Sequence, residues 1–163
     1  MSRAAVVFAG GDPSRHEDLG GLPADALVIA ADSGAVHAVA LGWPVHVLVG
    51  DLDSVPAALV EQLAAGGTEV VRHPRAKDHT DLALALALAV EAGASRVTVV
   101  GGHGGRLDHL LANVLLLGSD ELAAVDVDAR MGPSRLTVVR RERELWGAPG
   151  DRKSTRLNSS HIT

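Results

Sequence analysis

The chain has 163 residues, a net charge of −5, no cysteine and only three aromatic residues, Phe8, Trp43 and Trp146. That length buries roughly two thirds of the unfolded surface, enough for one core without covalent staples. Lack of cysteine excludes disulfides and thiolate metal sites, the acidic balance argues against a nucleic-acid footprint, and scarce aromatics argue against a base-stacking platform.

Ala4 to Phe8 is a short apolar strand-like run, and a chain that enters a strand this early is not expected to carry a secretory leader. It breaks at Gly10-Gly11-Asp12-Pro13, where paired glycines let backbone approach a ligand closely or simply make a turn. Asp25 to Ala31 reads as a second strand, followed by Asp32-Ser33-Gly34. Asp32 sits where a strand gives way to a helix over Ala35 to Leu41, so either it or Ser33 can serve as a cap. Gly42 ends that helix.

Val45 to Ser54, V-H-V-L-V-G-D-L-D-S, is a buried strand opening into a turn with two carboxylates one residue apart. At about 4 Å and an effective dielectric near 20, two such charges repel by about 4 kcal/mol. Asp51 and Asp53 therefore hold either a proton or a cation, and hard oxygen donors favour Mg²⁺. A helix over Ala57 to Ala65 stops at Gly66-Gly67, and Thr68 to Val71 is a further strand.

After Lys77-Asp78-His79-Thr80-Asp81 comes L-A-L-A-L-A-L-A-V, residues 82–90. Its leucines alternate as in a strand, but Leu and Ala are strong helix formers and the run is too long for a typical strand. Thr80 as N-cap and Gly93 just past the end complete the expectation of a buried helix. Arg96 to Val100 is a strand that breaks at Gly101-Gly102-His103-Gly104-Gly105. A helix then carries Leu107, Leu110, Leu111, Val114 and Leu115 as its apolar stripe, with Arg106, His109 and Asn113 on the polar side.

From Val125 the pattern changes to short strands with turns and no intervening helix, which predicts the start of an antiparallel unit. Asp151 to Thr163 does not continue it. That tail reads like the translation of a common sequencing-adapter oligonucleotide and is expected to be non-native or disordered.

Alternating strands and helices imply a parallel sheet with right-handed crossovers, whose ligands bind beyond the carboxyl ends of the strands. Gly10-Gly11, Asp32, Asp51/Asp53, Lys77 to Asp81 and Gly101 to Asp108 all fall at that edge. Carboxylates, cations and glycine backbone together suit a metal–polyphosphate complex. No Walker A sequence, H-E-x-x-H or G-x-S-x-G elbow occurs, nor does a first-unit dinucleotide fingerprint. A zinc role for His103 and His109 is disfavoured.

The motifs A-D-S-G (31–34), G-D-L-D-S (50–54), K-D-H-T-D (77–81) and G-G-R-L-D-H (104–109), with Asn113, resemble thiamine pyrophosphokinase (thiamine diphosphokinase) in content and order. The resemblance runs through nearly all of residues 1–150. It implies an α/β fold, a Rossmann-like parallel sheet with helices on both faces, followed here by the truncated start of an antiparallel β-sandwich. It implies pyrophosphoryl transfer from ATP to thiamine with Mg²⁺, in a cytoplasmic homodimer with neither nucleic-acid nor membrane partners. Asp51, Asp53 and Asp81 would hold the metal, and Arg106 and Asp108 would join them at the reaction centre. Asp32, Ser54, Lys77, Asp78, Thr80, Gly104, Gly105, His109 and Asn113 would bind ATP. The expected divisions are 1–122, an ATP/Mg catalytic domain; 123–150, a partial thiamine-binding β-domain; and 151–163, the tail. Hydroxymethylpterin pyrophosphokinase, with similar carboxylate motifs, and a non-catalytic nucleotide-binding fragment are the competing expectations.

Overall fold

Seven strands share one sheet in the order β4-β3-β2-β1-β5-β6-β7. The computed structural model describes residues 3–74 and 79–140, plus the backbone of 142–143 and 157–158. In chain order the elements are β1 (Arg3–Phe8), β2 (Leu27–Ala31), α1 (Gly34–Ala40), β3 (Val47–Gly50), α2 (Ala57–Ala65), β4 (Glu69–Arg72), α3 (Asp81–Glu91), β5 (Ala94–Val100), α4 (Leu107–Leu117), β6 (Asp126–Met131) and β7 (Ser134–Thr137). Single 3-10 turns cover His16–Leu19 and Asp120–Leu122.

The first six strands pair in parallel, and only β7 runs antiparallel, against β6. Each central strand is apolar on both faces because helices cover both. Ala5, Val7, Ile29, Val49, Val97 and Val99 pack with α3 in one core cluster, joined by Leu110, Val114 and Leu117 of α4. The alternate residues Val6, Phe8, Val28, Ala30 and Leu48 face α1 and α2 in the other. The expected α/β class therefore holds.

The alternating leucines of α3 do form a helix. The Thr80 side chain accepts a hydrogen bond from the Ala83 amide at 3.2 Å, which caps it as anticipated. Leu82, Ala85, Leu86 and Ala89 are its buried residues, a 3.6-residue period hidden inside the period-two sequence.

Two expectations are corrected. The apolar stripe of α4 does not face the core as a block: Leu107, Leu111 and Leu115 are 68, 53 and 75% exposed, while Leu110, Val114 and Leu117 pack inward. The sequence supplies two apolar rows on this helix, and only one can meet the sheet. Nor do residues 126–137 begin a separate antiparallel unit. β6 pairs in parallel with β5, from Arg96 opposite Asp126 to Val100 opposite Arg130, and β7 closes the same sheet. A further antiparallel bridge joins Glu142–Arg143 (β8) to Leu157–Asn158 (β9), so two residues of the expected tail pair with the chain.

Candidate active site

The chain runs outward from β1 through β2, β3 and β4, then returns to place β5 on the other side of β1. That reversal leaves a crevice between the loops after β1 and β5, the usual ligand position in open α/β sheets. Backbone hydrogen bonds join the two loops. The Gly102 amide donates to the Gly10 carbonyl at 2.7 Å, and the Asp12 amide donates to the His103 carbonyl at 2.8 Å. A side chain at Gly11, at φ 102°, would put its Cβ 2.2 Å from the His103 carbonyl oxygen; at Gly101, at φ 89°, it would sit 2.6 Å from the Ala9 carbonyl oxygen. Glycine is thus required where the two loops meet.

A cleft of about 640 Å³ opens beside this seam. Gly10, Gly11, Gly102, His103 and Gly104 line one side of it, and Asp32, Ser33, Asp51, His73, His79, Thr80 and Asp81 line the other, with His109, Ala112 and Asn113 from α4. The structure therefore gathers five separated segments at the carboxyl edge of the sheet, as anticipated.

Three carboxylates converge around Gly50. A Cβ built there would lie 3.2 Å from the Asp32 Cβ and 3.2 Å from Asp81 Oδ1, so glycine makes room for both. Asp32 has φ 46°, a left-handed conformation uncommon for a non-glycine residue, while its amide still donates to the Val49 carbonyl at 2.8 Å. Its carboxylate is not spent on capping α1: Ser54 Oγ donates to Oδ2, and Oδ1 is buried without a partner. Ser33 makes no side-chain cap bond either.

Asp51 begins a tight turn. Its Oδ1 accepts from the Asp53 amide at 3.0 Å, an Asx-type contact, and Leu52 between them has φ 64°. A leucine tolerates that conformation only where something else holds it. Leu52 is 6% exposed and packed in the α1/α2-side core, so burial is what holds it. The same turn leaves Asp53 and Ser54 exposed and outside the cleft lining. The carboxylates brought together are thus Asp32, Asp51 and Asp81, with Asp53 one step outside.

Asp81, the first residue of α3, has its pKa raised. Burial is the main cause, and the negative charges of Asp32 and Asp51 add to it; His73 and a hydrogen bond from the Asp51 backbone pull the other way. Among the described residues no group of three or more His, Asp or Glu converges closely enough to hold a metal ion by itself. The donor set nevertheless fits Mg²⁺, which takes one or two carboxylates and completes its shell with waters and phosphate oxygens. The partnerless Asp32 Oδ1 is a donor of that kind.

Other expected site residues fall differently. Thr80, Gly104, His109 and Asn113 line the cleft, and Asn113 Nδ2 donates to the Gly102 carbonyl at 2.9 Å, steadying the glycine loop. Arg106 and Asp108 pair with each other, Nε to Oδ1 at 3.0 Å, and are 70 and 61% exposed at the head of α4. That guanidinium holds the Asp108 carboxyl below its ordinary pKa. Gly105 is exposed beside them at φ 62°. Lys77 and Asp78 lie outside the described residues. Ser33, His73 and His79 also line the cleft, though none was among the expected site residues; Ser33 and His79 lie inside the A-D-S-G and K-D-H-T-D motifs, and that is the signal that could have found them.

The fold is a parallel α/β domain of the doubly wound class, with carboxylates and glycine backbone at the topological switch point where such sheets bind their ligands. Comparison with known proteins narrows this. Residues 22–124 match the family model described as thiamin pyrophosphokinase, catalytic domain. The curated thiamine pyrophosphokinase of Bacillus subtilis is 32% identical over 112 residues, covering 68% of this chain and 52% of its own length. A crystal structure of the thiamine pyrophosphokinase from that organism superposes with a TM-score of 0.65 at 30% identity, covering 78% of this chain and 60% of the other. Thiamin pyrophosphokinase from Candida albicans reaches a TM-score of 0.71 at 13% identity, over 86% of this chain and 62% of the other, a likeness of fold. The chain belongs to the thiamin pyrophosphokinase catalytic-domain family. It spans about half the length of the curated relative it matches.

Proposed function

We propose that this chain is the nucleotide-handling portion of a thiamine diphosphokinase. In that reaction the thiamine hydroxyl oxygen attacks the β-phosphorus of ATP, the bond to the α-phosphate oxygen breaks, and thiamine diphosphate and AMP result. The observation that carries this reading is the convergence of Asp32, Asp51 and Asp81 on Gly50, opposite the glycine seam, in a chain of this family.

Asp51 and Asp81, with Asp32 Oδ1 beside them, would hold Mg²⁺, with Asp53 as the further carboxylate the motif offers. When bound, the ion supplies charge neutralisation at the polyphosphate. The remaining work falls to the chain. Amides of the Gly10–Gly11 and Gly102–Gly105 loops suit phosphate oxygens, and Lys77, Asp78, Thr80, Ser54 and His109 complete the nucleotide site. Arg106 and Asp108 stand at the reaction centre's outer edge. Holding donor and acceptor in line accounts for most of what such a site contributes. Family membership favours thiamine over a hydroxymethylpterin as acceptor. A cytoplasmic homodimer is the expected setting; among the described residues no helix is long and apolar enough to cross a membrane.

Two measurements test this reading. Calorimetric titration of Mg–ATP, with Asp53→Ala as control, reads nucleotide binding, and AMP release with and without thiamine reads transfer. Absence of any Mg–ATP binding overturns the nucleotide reading.

A further inference from the structure

One residue outside the cleft holds both of the loops that form its seam. Arg130 lies on β6, and none of the described residues of that strand lines the cleft. Val127, Ala129 and Met131 of β6 are buried in the α3/α4-side core, so by strand alternation Asp128 and Arg130 face the other side. On that side the loop after β1 makes its 3-10 turn, His16–Leu19, and buries Leu19 in the α1/α2-side core. Arg130 Nη1 donates to the Asp18 carbonyl at 2.7 Å and to the Gly20 carbonyl at 2.8 Å. A guanidinium nitrogen of this kind carries two hydrogens, one for each acceptor. The Arg130 main-chain carbonyl meanwhile accepts from the Gly101 amide at 2.9 Å. Its side chain thus grips the far end of the β1 loop, and its backbone grips the root of the β5 glycine loop.

The sheet itself gains little from an arginine at this position. Arg130 stands directly opposite Arg135 on β7, and like charges so placed destabilise a strand pair. Burial first, and then Arg135, lower the guanidinium pKa, with Asp128 and Asp18 pulling the other way. A residue that breaks a local rule in its own strand points to a role elsewhere. The tether from the turn to the seam is short and stiff. Only five residues, Pro13 to Glu17, separate Asp18 from Asp12; Ser14 among them is buried, and the Arg15 amide donates to Asp18 Oδ2 at 3.0 Å. Movement of the turn is therefore passed on to Gly10–Asp12. We propose that Arg130 is a positioning residue for the cleft: by anchoring the β1 loop at Asp18 and Gly20, it sets Gly10–Asp12 against Gly101–His103 and fixes the spacing of the two glycine loops for a polyphosphate. The polyphosphate part rests on the nucleotide reading above, and the anchoring does not.

Arg130→Met keeps the apolar stem and removes every donor. Amide hydrogen exchange at Asp12 and Gly102, the two donors of the seam, should quicken about tenfold in R130M, as expected for loss of a hydrogen bond from a charged group. R130K keeps the charge without the planar fork and should fall between R130M and wild type. Val60→Ala serves as control, because it opens a cavity in the α1/α2-side core away from the turn. V60A should lower the melting midpoint and leave both amides at their wild-type rates. Calorimetric titration of Mg–ATP should give an affinity about tenfold weaker for R130M, through lost preorganisation, and unchanged for V60A. Wild-type exchange at the seam in a folded R130M overturns the proposal. So does equal acceleration in V60A, which would make the effect one of general stability. Should R130M not fold, R130K is read in the same way, and wild-type exchange there overturns the proposal. Faster exchange with unaltered Mg–ATP affinity also overturns it, reducing Arg130 to a structural anchor. If the unmodified chain takes up no Mg–ATP, the nucleotide reading fails, and the exchange rates still decide whether Arg130 holds the seam.

Discussion

Replacing Asp81 by asparagine should stabilise the metal-free chain at neutral pH, although it alters the centre of the cleft. Asp81 Oδ1 and the Asp32 Cβ each lie 3.2 Å from one point beside Gly50, so they are at most twice that, 6.4 Å, apart. Two charges at about 6 Å repel by roughly 3 kcal/mol at an effective dielectric of 20, and by under about 1 kcal/mol in water. The cleft is open, so solvent screening brings the figure toward the lower end, about 1 kcal/mol. Asparagine keeps an oxygen to accept the Asp51 backbone bond but gives up a favourable charge at the α3 N-terminus, worth about 0.5 kcal/mol. Relief of burial offsets that loss, leaving a net gain of about 1 kcal/mol, or roughly 3 °C in melting temperature for a domain of this size.

The pH dependence follows from the raised pKa. The folded state holds the Asp81 proton more tightly than the unfolded chain does. Its contribution is fully present below the ordinary carboxyl value of 3.8 and is lost as pH rises through the higher folded value. D81N should therefore gain over wild type at pH 7 and lose that advantage near pH 4. Thermal unfolding followed by circular dichroism at both pH values, with and without Mg²⁺, measures this. Added Mg²⁺ should raise the wild-type midpoint more than that of D81N. A D81N protein less stable than wild type at pH 7 without metal would refute the electrostatic account. An equal Mg²⁺ response in both proteins would refute the assignment of Asp81 to the ion.

Two further outcomes test the frame around the site. Gly34→Ala would drive a Cβ to 2.1 Å from the Phe8 carbonyl oxygen, in backbone that cannot swing aside, so a loss of about 3 kcal/mol or more is expected in chemical denaturation, against about ±0.5 kcal/mol for a surface change. His37 is kept neutral mainly by burial, with the nearby His103 adding and Asp12 opposing, so its folded pKa lies below 6.5. The unfolded chain then takes up the proton first. Wild type should lose stability as pH falls from about 7 toward 5, more steeply than His37→Asn, in denaturation midpoints collected across that range.

The strand and helix order was legible because Gly, Pro and apolar periodicity agree at almost every boundary, and because leucine and alanine outweigh a misleading period in α3. What escaped was orientation. On α4, Leu107, Leu111 and Leu115 share a face, as do Leu110, Val114 and Leu117; spacing fixes the rows but not which one meets the sheet. Val125 to Thr137 looked like a new unit because a hairpin at a sheet edge carries the same short-strand signature as the start of a sandwich. In the site, Asp51 and Asp53 looked like a pair because they are neighbours in sequence. The left-handed Leu52 separates their surroundings, and Asp32, from another strand, takes the nearer place. A positive φ at a leucine has no sequence signature, because it is imposed by the cavity that receives the side chain.

The stitching of Gly10 to Gly102 and of Asp12 to His103 uses main-chain atoms only. The side chains at its two ends are engaged elsewhere: the Asp12 carboxyl fills the space a Cβ at Gly104 would need, 2.1 Å away, and the His103 ring lies 2.9 Å from where a Cβ at Gly132 would sit. Each end of the clasp is thus backed by a further glycine, and the cost of change is concentrated at the glycines, where a side chain has no room.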